Sequence, residues 1–277
     1  MAASDEFFVR FWGVRGSIAV PGPTTARYGG NTSCLEVRCG GQLLIFDAGT
    51  GLRPLGNALP ANGAVDADLF LTHTHFDHVN GLPFFVPMFI KGNRFRLWAG
   101  HLIPQYTLKY VLSEMMIAPL FPAPVEVFQA DISYHDFNAG ETLHPKGGVT
   151  LRTAALNHPN NATGYRIEYG GKSICYITDT EHYVDRIDER VVELVRGADL
   201  MIYDGTYTEQ EYPRFKGWGH STWQQGVQIA NEAGVRTYVI FHHDPSHDDD
   251  FMDKIQAEAE AARPGTLVAR EGMTLSP

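Results

Sequence analysis

The sequence is poor in cysteine. Its three cysteines, Cys34, Cys39 and Cys175, cannot all pair with one another, and their spacing is not that of metal ligands. Free thiols are typical of a reducing compartment, so we expect a cytoplasmic protein without structural disulfides.

Basic side chains are scarce relative to acidic ones. The chain has 22 Lys and Arg against 32 Asp and Glu, which gives a formal net charge of −10. Proteins that bind long nucleic acid depend on many Lys and Arg contacts to phosphate. The balance therefore argues against long nucleic acid as a partner, although a local basic patch is compatible with it.

Long apolar segments are also lacking. No apolar run approaches the roughly 18 residues that indicate a membrane-spanning helix. Residues 1–6 are acidic where a signal peptide would be basic, so we expect neither a membrane partner nor a signal peptide. No linker or repeat divides the 277 residues, and 44% of them are hydrophobic, which is ordinary for a packed core. We predict a single domain over residues 1–277.

What the chain does have is histidine and aspartate at the predicted ends of strands. The densest group is residues 72–78 (THTHFDH), which follow the apolar run at residues 68–71. Because side chains alternate along a strand, His73 and His75 leave its end on the same side. Asp77 and His78 lie on the following turn. Three imidazoles and a carboxylate crowded together cost free energy unless a cation binds them, so the pattern predicts a transition-metal site.

Three further side chains with ligand chemistry each follow a predicted strand, namely His158, Asp179 and His242. Taken singly, such residues are more often plain loop residues. Strand ends gathered on one edge of a layered fold are where a rigid scaffold can present ligands, so we expect them to join the first group. His243 remains an alternative to its neighbour His242.

Strand-rich segments and helical segments of similar length alternate along the chain without a linker. This pattern favours stacked layers of sheet and helix. Residues 82–90 are predicted to be a short, irregular helix. The predicted strands are residues 7–12, 34–39, 42–46, 68–71, 94–98, 125–128, 132–137, 149–156, 164–169, 172–177, 199–203, 236–241 and 266–269. The predicted longer helices are residues 103–117, 188–196, 221–233 and 250–262, and a short one ends near residue 59.

The seven ligand-type residues resemble, in order and rough spacing, the ligand set of the metallo-β-lactamase superfamily of binuclear hydrolases. Residues 47–49 (DAG) resemble the supporting aspartate turn of that family. The resemblance implies an α/β fold, a four-layer αββα sandwich, with two divalent metal ions at one edge. An imidazole-rich site favours zinc, with manganese or iron as alternatives. The implied ligands are His73, His75 and His158 for one metal, Asp77, His78 and His242 for the other, and Asp179 as a bridge, together with a hydroxide.

Residues 198–207 and 219–222 (GHST) look like the ribonuclease Z and cyclic-phosphodiesterase branch of that superfamily. In that branch a histidine, oriented by an acidic residue, lies beside the metals. The resemblance assigns these roles to His220 and Asp204, so His220 would protonate the leaving group. Asp77 would hold its metal and orient the hydroxide. The alternative is that this segment only caps the following helix through Ser221.

The predicted activity is hydrolysis of a small phosphodiester, with a cyclic nucleotide as an example. Ribonuclease Z carries a long arm between its third histidine and its bridging aspartate, whereas here only about twenty residues separate His158 from Asp179. Processing of tRNA 3′ ends is therefore less favoured. A metal-dependent lactonase or another acyl hydrolase of the same fold is the main alternative. The resemblance is compatible with a homodimer, although no interface is visible in the sequence.

Other candidate residues are expected to have structural roles. We interpret Arg15, Arg27 and Tyr28 as solvated loop residues rather than anion contacts. Contact of His182 with substrate phosphate is the less favoured alternative for that residue. Residues 119–124 form an apolar loop that either walls a cleft or is packed. Histidines expected at the surface or in structural positions are His101, His135, His144, His243 and His247, the last two with a further metal site as the alternative.

Overall fold

In a computed structural model, which describes residues 6–62 and 65–277, two seven-stranded sheets pack face to face. Residues 1–5, which carry most of the expectation about a signal peptide, lie outside the described residues. The strands found in the described part are β1 (Phe7–Gly13), β2 (Cys34–Cys39), β3 (Gln42–Phe46), β4 (Asp66–Leu71), β5 (Arg94–Ala99), β6 (Asp131–Asp136), β7 (Thr142–Leu143), β8 (Thr150–Leu156), β9 (Ala162–Tyr169), β10 (Lys172–Ile177), β11 (Leu200–Asp204), β12 (Thr237–Phe241), β13 (Leu267–Val268) and β14 (Thr274–Leu275).

The strand directions bring several strand ends to one edge of the fold. The first sheet has the order β14-β1-β2-β3-β4-β5-β6, and the second has the order β13-β12-β11-β10-β9-β8-β7. Strands β3 to β6 are parallel, and so are β10 to β13. Strand β8 has the direction of β10, because both are antiparallel to β9. The loops that follow parallel strands leave from the same edge of a sheet.

Helices cover the outer face of each sheet. The first two helices pack with one side of the first sheet, and α3, α5 and α6 pack on the second sheet. The helices are α1 (Leu52–Ala58), α2 (Leu108–Met115), α3 (Glu189–Val195), α4 (Tyr212–Phe215), α5 (Trp223–Glu232) and α6 (Asp249–Ala262), and the 3-10 turns are Pro23–Thr25, Phe76–His78, Leu82–Phe84, Val86–Phe89 and Val125–Val127.

The inner faces of the two sheets share an aromatic core. The ring of Phe46 lies 5.3 Å from that of Phe70 and 5.3 Å from that of Tyr165 in the facing sheet. Strand β1 alternates between buried and half-buried residues, whereas β4 is buried at every position from Ala67 to Leu71, as expected for a central parallel strand. The predicted α/β, four-layer αββα sandwich is confirmed.

Some predicted elements are wrong. Residues 125–128 form a 3-10 turn rather than a strand, because the amide of Val127 turns back to bond the carbonyl of Pro124 and its exposed side chain has no sheet to join. The helix predicted at residues 103–117 is limited to α2. Pro104 has no amide hydrogen to donate, and Thr107 caps the helix that follows. The two-residue strands β7 and β14 and the short α4 were not predicted.

No helix in the described ranges is both long and apolar enough to cross a bilayer. The longest, α6, has 14 residues. A membrane-spanning helix needs about 20.

Candidate metal centre

The predicted ligands converge at the edge where parallel strands end. Residues 72–78 follow β4, and the other three predicted ligands follow β8, β10 and β12. The donor atoms fall into four overlapping groups, each within 4.8 Å, and one group also contains Asp204 and His220. The seven predicted ligands among them, called the cluster below, are His73, His75, Asp77, His78, His158, Asp179 and His242.

One half of the cluster consists of three histidines. The Nδ1 atom of His75 lies 3.0 Å from Nε2 of His158. The rings of His73 and His158 are 4.7 Å apart, at an angle of 76°. The Oδ2 atom of Asp179 lies 3.6 Å from Nε2 of His73 and 3.7 Å from Nε2 of His158.

The other half consists of Asp77, His78 and His242. The Nε2 atom of His78 lies 3.2 Å from Oδ2 of Asp77 and 3.3 Å from Nε2 of His242. The Oδ1 atom of Asp179 lies 3.3 Å from Nε2 of His78 and 3.2 Å from Nε2 of His242. Asp179 therefore turns one carboxylate oxygen towards each half. His243 is excluded from the cluster, because its Nε2 donates to the carbonyl of Ala269 at 2.9 Å.

The residues fit two divalent ions. Ligand atoms around a tetrahedral metal with bonds of about 2.0–2.2 Å lie roughly 3.3–3.6 Å apart. The donor separations between Asp179 and the two halves are 3.2 to 3.7 Å. In addition, Nε2 of His73 is buried and has no hydrogen-bond partner. A buried nitrogen without a partner is costly, and a metal ion would satisfy it.

Outer hydrogen bonds fix three of the imidazoles so that the Nε2 atom of each points inward. His78 donates from Nδ1 to Oδ2 of Asp47 at 2.9 Å, and His158 donates from Nδ1 to the carbonyl of Gly219 at 2.7 Å. The Nδ1 atom of His242 lies 3.1 Å from the Thr206 hydroxyl. A proton on Nδ1 leaves the Nε2 lone pair for a metal, which is the usual outer arrangement of metal-binding histidines.

Several residues of the centre adopt strained backbone conformations. Asp47, Asp179 and His242 have φ angles of 60°, 56° and 63° without being glycine. This left-handed region costs about 1 kcal/mol or more for a residue with a side chain. Such strain persists where the surrounding contacts fix the residue, and it is concentrated at functional sites.

The loop after β1 closes over the centre, which the sequence did not indicate. The amide of Ser17 donates to Oδ2 of Asp77 at 2.8 Å. A Cβ atom on Gly16 would lie 2.4 Å from the His242 ring, so only glycine allows this close approach. No motif in the sequence distinguished these two residues from their loop neighbours.

His220 and Asp204 form a buried pair beside the cluster. The Nδ1 atom of His220 donates to Oδ2 of Asp204 at 3.0 Å, and the His220 ring lies 4.9 Å from that of His242. Burial alone would lower the pKa of His220, but the Asp204 carboxylate and its hydrogen bond raise it to about 9. Ser221 does not cap α5, because Thr222 accepts the capping bond from Gln225.

The Asp77 carboxylate is held in its charged form. Burial would raise its pKa, but the charge of His78 and hydrogen bonds to His78 and His242 lower it below the ordinary value. Asp77 therefore presents an acceptor oxygen to its neighbours.

Glu181 is a further residue that sequence reasoning missed. Its carboxylate accepts from the amide of Gly217 at 2.8 Å and from the amide of Gly219 at 2.9 Å. It thereby fixes the loop that carries His220 and that accepts the hydrogen bond from His158. No sequence signal relates an acidic residue at 181 to a loop 36 positions later.

Other histidines lie at the margin of the centre. The Nδ1 atom of His182 is 3.0 Å from the Ser221 hydroxyl, and its ring lies 4.3 Å from that of Tyr212. The Nε2 atom of His101 is 3.1 Å from the Thr74 hydroxyl, so this residue is close to the cluster rather than remote. Burial lowers the pKa of His101 to about 4.

The remaining histidines have structural contacts. His135 stacks on Trp98 at 4.2 Å, and His144 is exposed. His247 lies 2.8 Å from Glu211, and the acidic run after it caps α6 through Asp248.

The interpretation of Arg15 and Tyr28 as solvated residues is wrong. Both are fully buried. Arg15 donates to the carbonyls of Gly29 and His247 at 2.8 and 2.6 Å. It is buried because the loop after β1 packs against the segment that follows β12. Arg27 is exposed and pairs with acidic residues of α6.

Relatives and solved structures resemble the whole chain. Ribonuclease Z of Haloarcula marismortui is 28% identical over 310 residues, which cover 96% of this chain and 95% of that protein. The metallo-beta-lactamase fold protein YhfI from Bacillus subtilis is 18% identical, with a TM-score of 0.75 over 99% of this chain and 100% of that one. A diphosphatase from the PhnP family is 19% identical, with a TM-score of 0.70 over 98% of each chain.

The family model described as Beta-lactamase superfamily domain matches residues 43–243. This range runs from within β3 to just past β12 and includes all the residues of the cluster. The chain therefore belongs to the beta-lactamase superfamily and is a metal-dependent hydrolase.

Proposed function

We propose that this chain hydrolyses phosphodiesters with two divalent metal ions. His73, His75 and His158 would hold one ion, and the other would be held by Asp77, His78 and His242. Asp179 would bridge them. The observation that carries the proposal is the orientation of the Asp179 carboxylate. Its Oδ2 atom faces the first half of the cluster and its Oδ1 atom faces the second half.

The ions would supply positive charge for the phosphate oxygens and would make water acidic enough to attack at neutral pH. The number of imidazoles in the cluster favours zinc. Manganese or iron are the alternatives.

The residues of the chain would position the proton transfers. Asp77 presents a charged oxygen that can hold its metal and orient the attacking water by accepting a hydrogen bond from it. His220, held by Asp204, can give a proton to the departing alkoxide, because the buried carboxylate fixes the ring beside the cluster. An acyl hydrolase would have less need for this pair, which supports a phosphodiester over a lactone.

A small phosphodiester is the first candidate substrate. Strands β9 and β10 are joined directly at Gly170 and Gly171, so no arm for a large partner lies between His158 and Asp179. The net charge of −10 is also unfavourable for a long polyanion.

RNA is the second candidate. The relative that aligns along 96% of this chain is named ribonuclease Z, which favours RNA more strongly than the sequence pattern alone did.

The decisive experiment measures turnover and metal content on the same preparations. We expect purified protein to bind two ions per chain by elemental analysis and to hydrolyse bis(p-nitrophenyl) phosphate. Asp179→Asn should lose both, whereas His135→Asn, a change in a half-buried histidine away from the cluster, should keep both. Cyclic nucleotides, RNA and lactones would be tested in parallel. Lactone turnover without turnover of any phosphodiester would contradict the proposal.

A further inference from the structure

A cavity of about 660 Å³ lies next to the metal centre. Its lining includes Thr74 and Phe76, which alternate with the cluster residues His73, His75 and Asp77 along the chain. A smaller cavity lined by His75 shares Thr74 as a common wall. The large cavity therefore borders the segment that carries three of the proposed ligands.

The lining of this cavity is apolar and aromatic. Phe84 and Phe121 pack edge to face at 5.9 Å, and Leu120 and Met115 add aliphatic surface. Of the apolar loop at residues 119–124, Leu120 and Phe121 thus wall a cleft. A cavity of this size and character is typical of a site for an organic group rather than for phosphate alone.

Two apolar side chains at the rim of the cavity are exposed to solvent to an unusual degree. Phe84 is 56% exposed and Leu120 is 79% exposed. Exposed apolar side chains around a cavity are the arrangement expected where a ligand with an apolar body binds.

We propose that this cavity binds a planar aromatic substituent of the phosphodiester, either an aryl group or a nucleobase, and thereby sets substrate preference. The inference rests on the proposed phosphodiesterase function. Phe84 and Phe121 contact the ring of the substituent, and Leu120 covers it. The phosphate would lie beside it, at the residues proposed to hold the metal ions.

The test uses phosphodiesters that share the p-nitrophenolate leaving group and differ only in the second ester. These are methyl p-nitrophenyl phosphate, phenyl p-nitrophenyl phosphate and the p-nitrophenyl ester of thymidine 5′-phosphate. We expect kcat/KM to be at least about tenfold higher for the phenyl ester than for the methyl ester. A gain with thymidine beyond that of phenyl would identify a nucleobase as the group that the cavity accepts, and a gain with phenyl alone would identify an aryl group.

Two variants decide whether the cavity is responsible. Phe84→Ser and Leu120→Ser should reduce the phenyl-to-methyl ratio towards one. Val127→Ser should keep the wild-type ratio, because Val127 is 37% exposed and does not line the cavity. A ratio near one in the wild type, or an unchanged ratio in both variants, would overturn the inference. So would a dimer that dissociates in these variants, because the rim would then be an interface between two copies.

Failure of the proposed function has a different result. If no phosphodiester is hydrolysed, the proposed phosphodiesterase function is wrong. Calorimetric titration of the metal-loaded protein with phenylphosphonate and methylphosphonate then still tests whether the cavity binds an aromatic group. We expect phenylphosphonate to bind about tenfold more tightly and Phe84→Ser to remove the difference. Equal affinities for the two phosphonates would overturn the inference.

Discussion

Asp204 and His220 are joined by a hydrogen bond of 3.0 Å, and both side chains are buried beside the metal centre. They come from different elements, since Asp204 ends β11 of the second sheet and His220 lies in the loop before α5. The pair is the structural basis for the proposed protonation of the leaving group.

The first prediction concerns the leaving group. His220→Ala and Asp204→Asn should lower kcat by about 10²–10⁴ for diesters with an alkoxide leaving group, because that group departs only with a proton. The loss should be much smaller for p-nitrophenolate, which is stable without one. Steady-state rates with both substrate types measure this, and elemental analysis should find the metal content unchanged. Equal losses for both leaving groups would exclude the assigned role.

The second prediction concerns the support of His78 by Asp47. Asp47 accepts hydrogen bonds from His78, from the Thr72 amide and from the Tyr176 hydroxyl. Asp47→Asn should weaken metal binding by about 10–100-fold, because the carboxylate fixes the imidazole and increases its basicity. Competition with a chelator measures the affinity.

A matched control for this change is Asp68→Asn in the neighbouring strand β4. Asp68 is also buried, and it accepts from Arg96 and Trp98 at 2.7 and 2.9 Å. Its substitution should lower the free energy of unfolding and leave metal affinity unchanged. A similar drop in metal affinity for both variants would mean that Asp47 acts only through stability.

The third prediction assigns Glu181 as a positioning residue. Glu181→Gln should replace one of the two oxygens that accept from the Gly217 and Gly219 amides by an NH2 group, which cannot accept, and loosen the loop that carries His220. We expect kcat for alkoxide-releasing diesters to fall about 10–100-fold, with little change in KM. The control is Glu209→Gln, a change at an exposed position. If the loss were the same for p-nitrophenolate esters, Glu181 would have a general structural role instead.

The fourth prediction concerns stability. Arg15 is fully buried and donates to the carbonyls of Gly29, Asp244 and His247. Arg15→Met should lower the free energy of unfolding by roughly 3 kcal/mol, because buried carbonyls are left without donors. Urea denaturation measures this. Arg27→Met, at an exposed side chain, should cost clearly less, and comparable losses for the two variants would contradict the buried role of Arg15.

Local patterns predicted most of the strands and the donor set. Alternation along β4 placed His73 and His75 on one side, and the strand-end positions of His158 and Asp179 indicated a shared edge. The two wrong assignments, at residues 125–128 and 103–107, fall where prolines interrupt short apolar runs. Such runs fit a strand, a helix or a turn equally well until tertiary contacts choose between them.

The residues alone indicate metal chemistry, because seven imidazole and carboxylate side chains at strand ends suit little besides metal binding. How those side chains are used depends on the tertiary structure. In the folded chain His242 rather than His243 joins the cluster, and one oxygen of Asp179 faces each half of the cluster. Glu181 and Ser17 make their contacts at the centre only through the fold. The last two contacts join residues 38 and 60 positions apart. Contacts of that range depend on how the two sheets pack and leave no periodic trace in the chain.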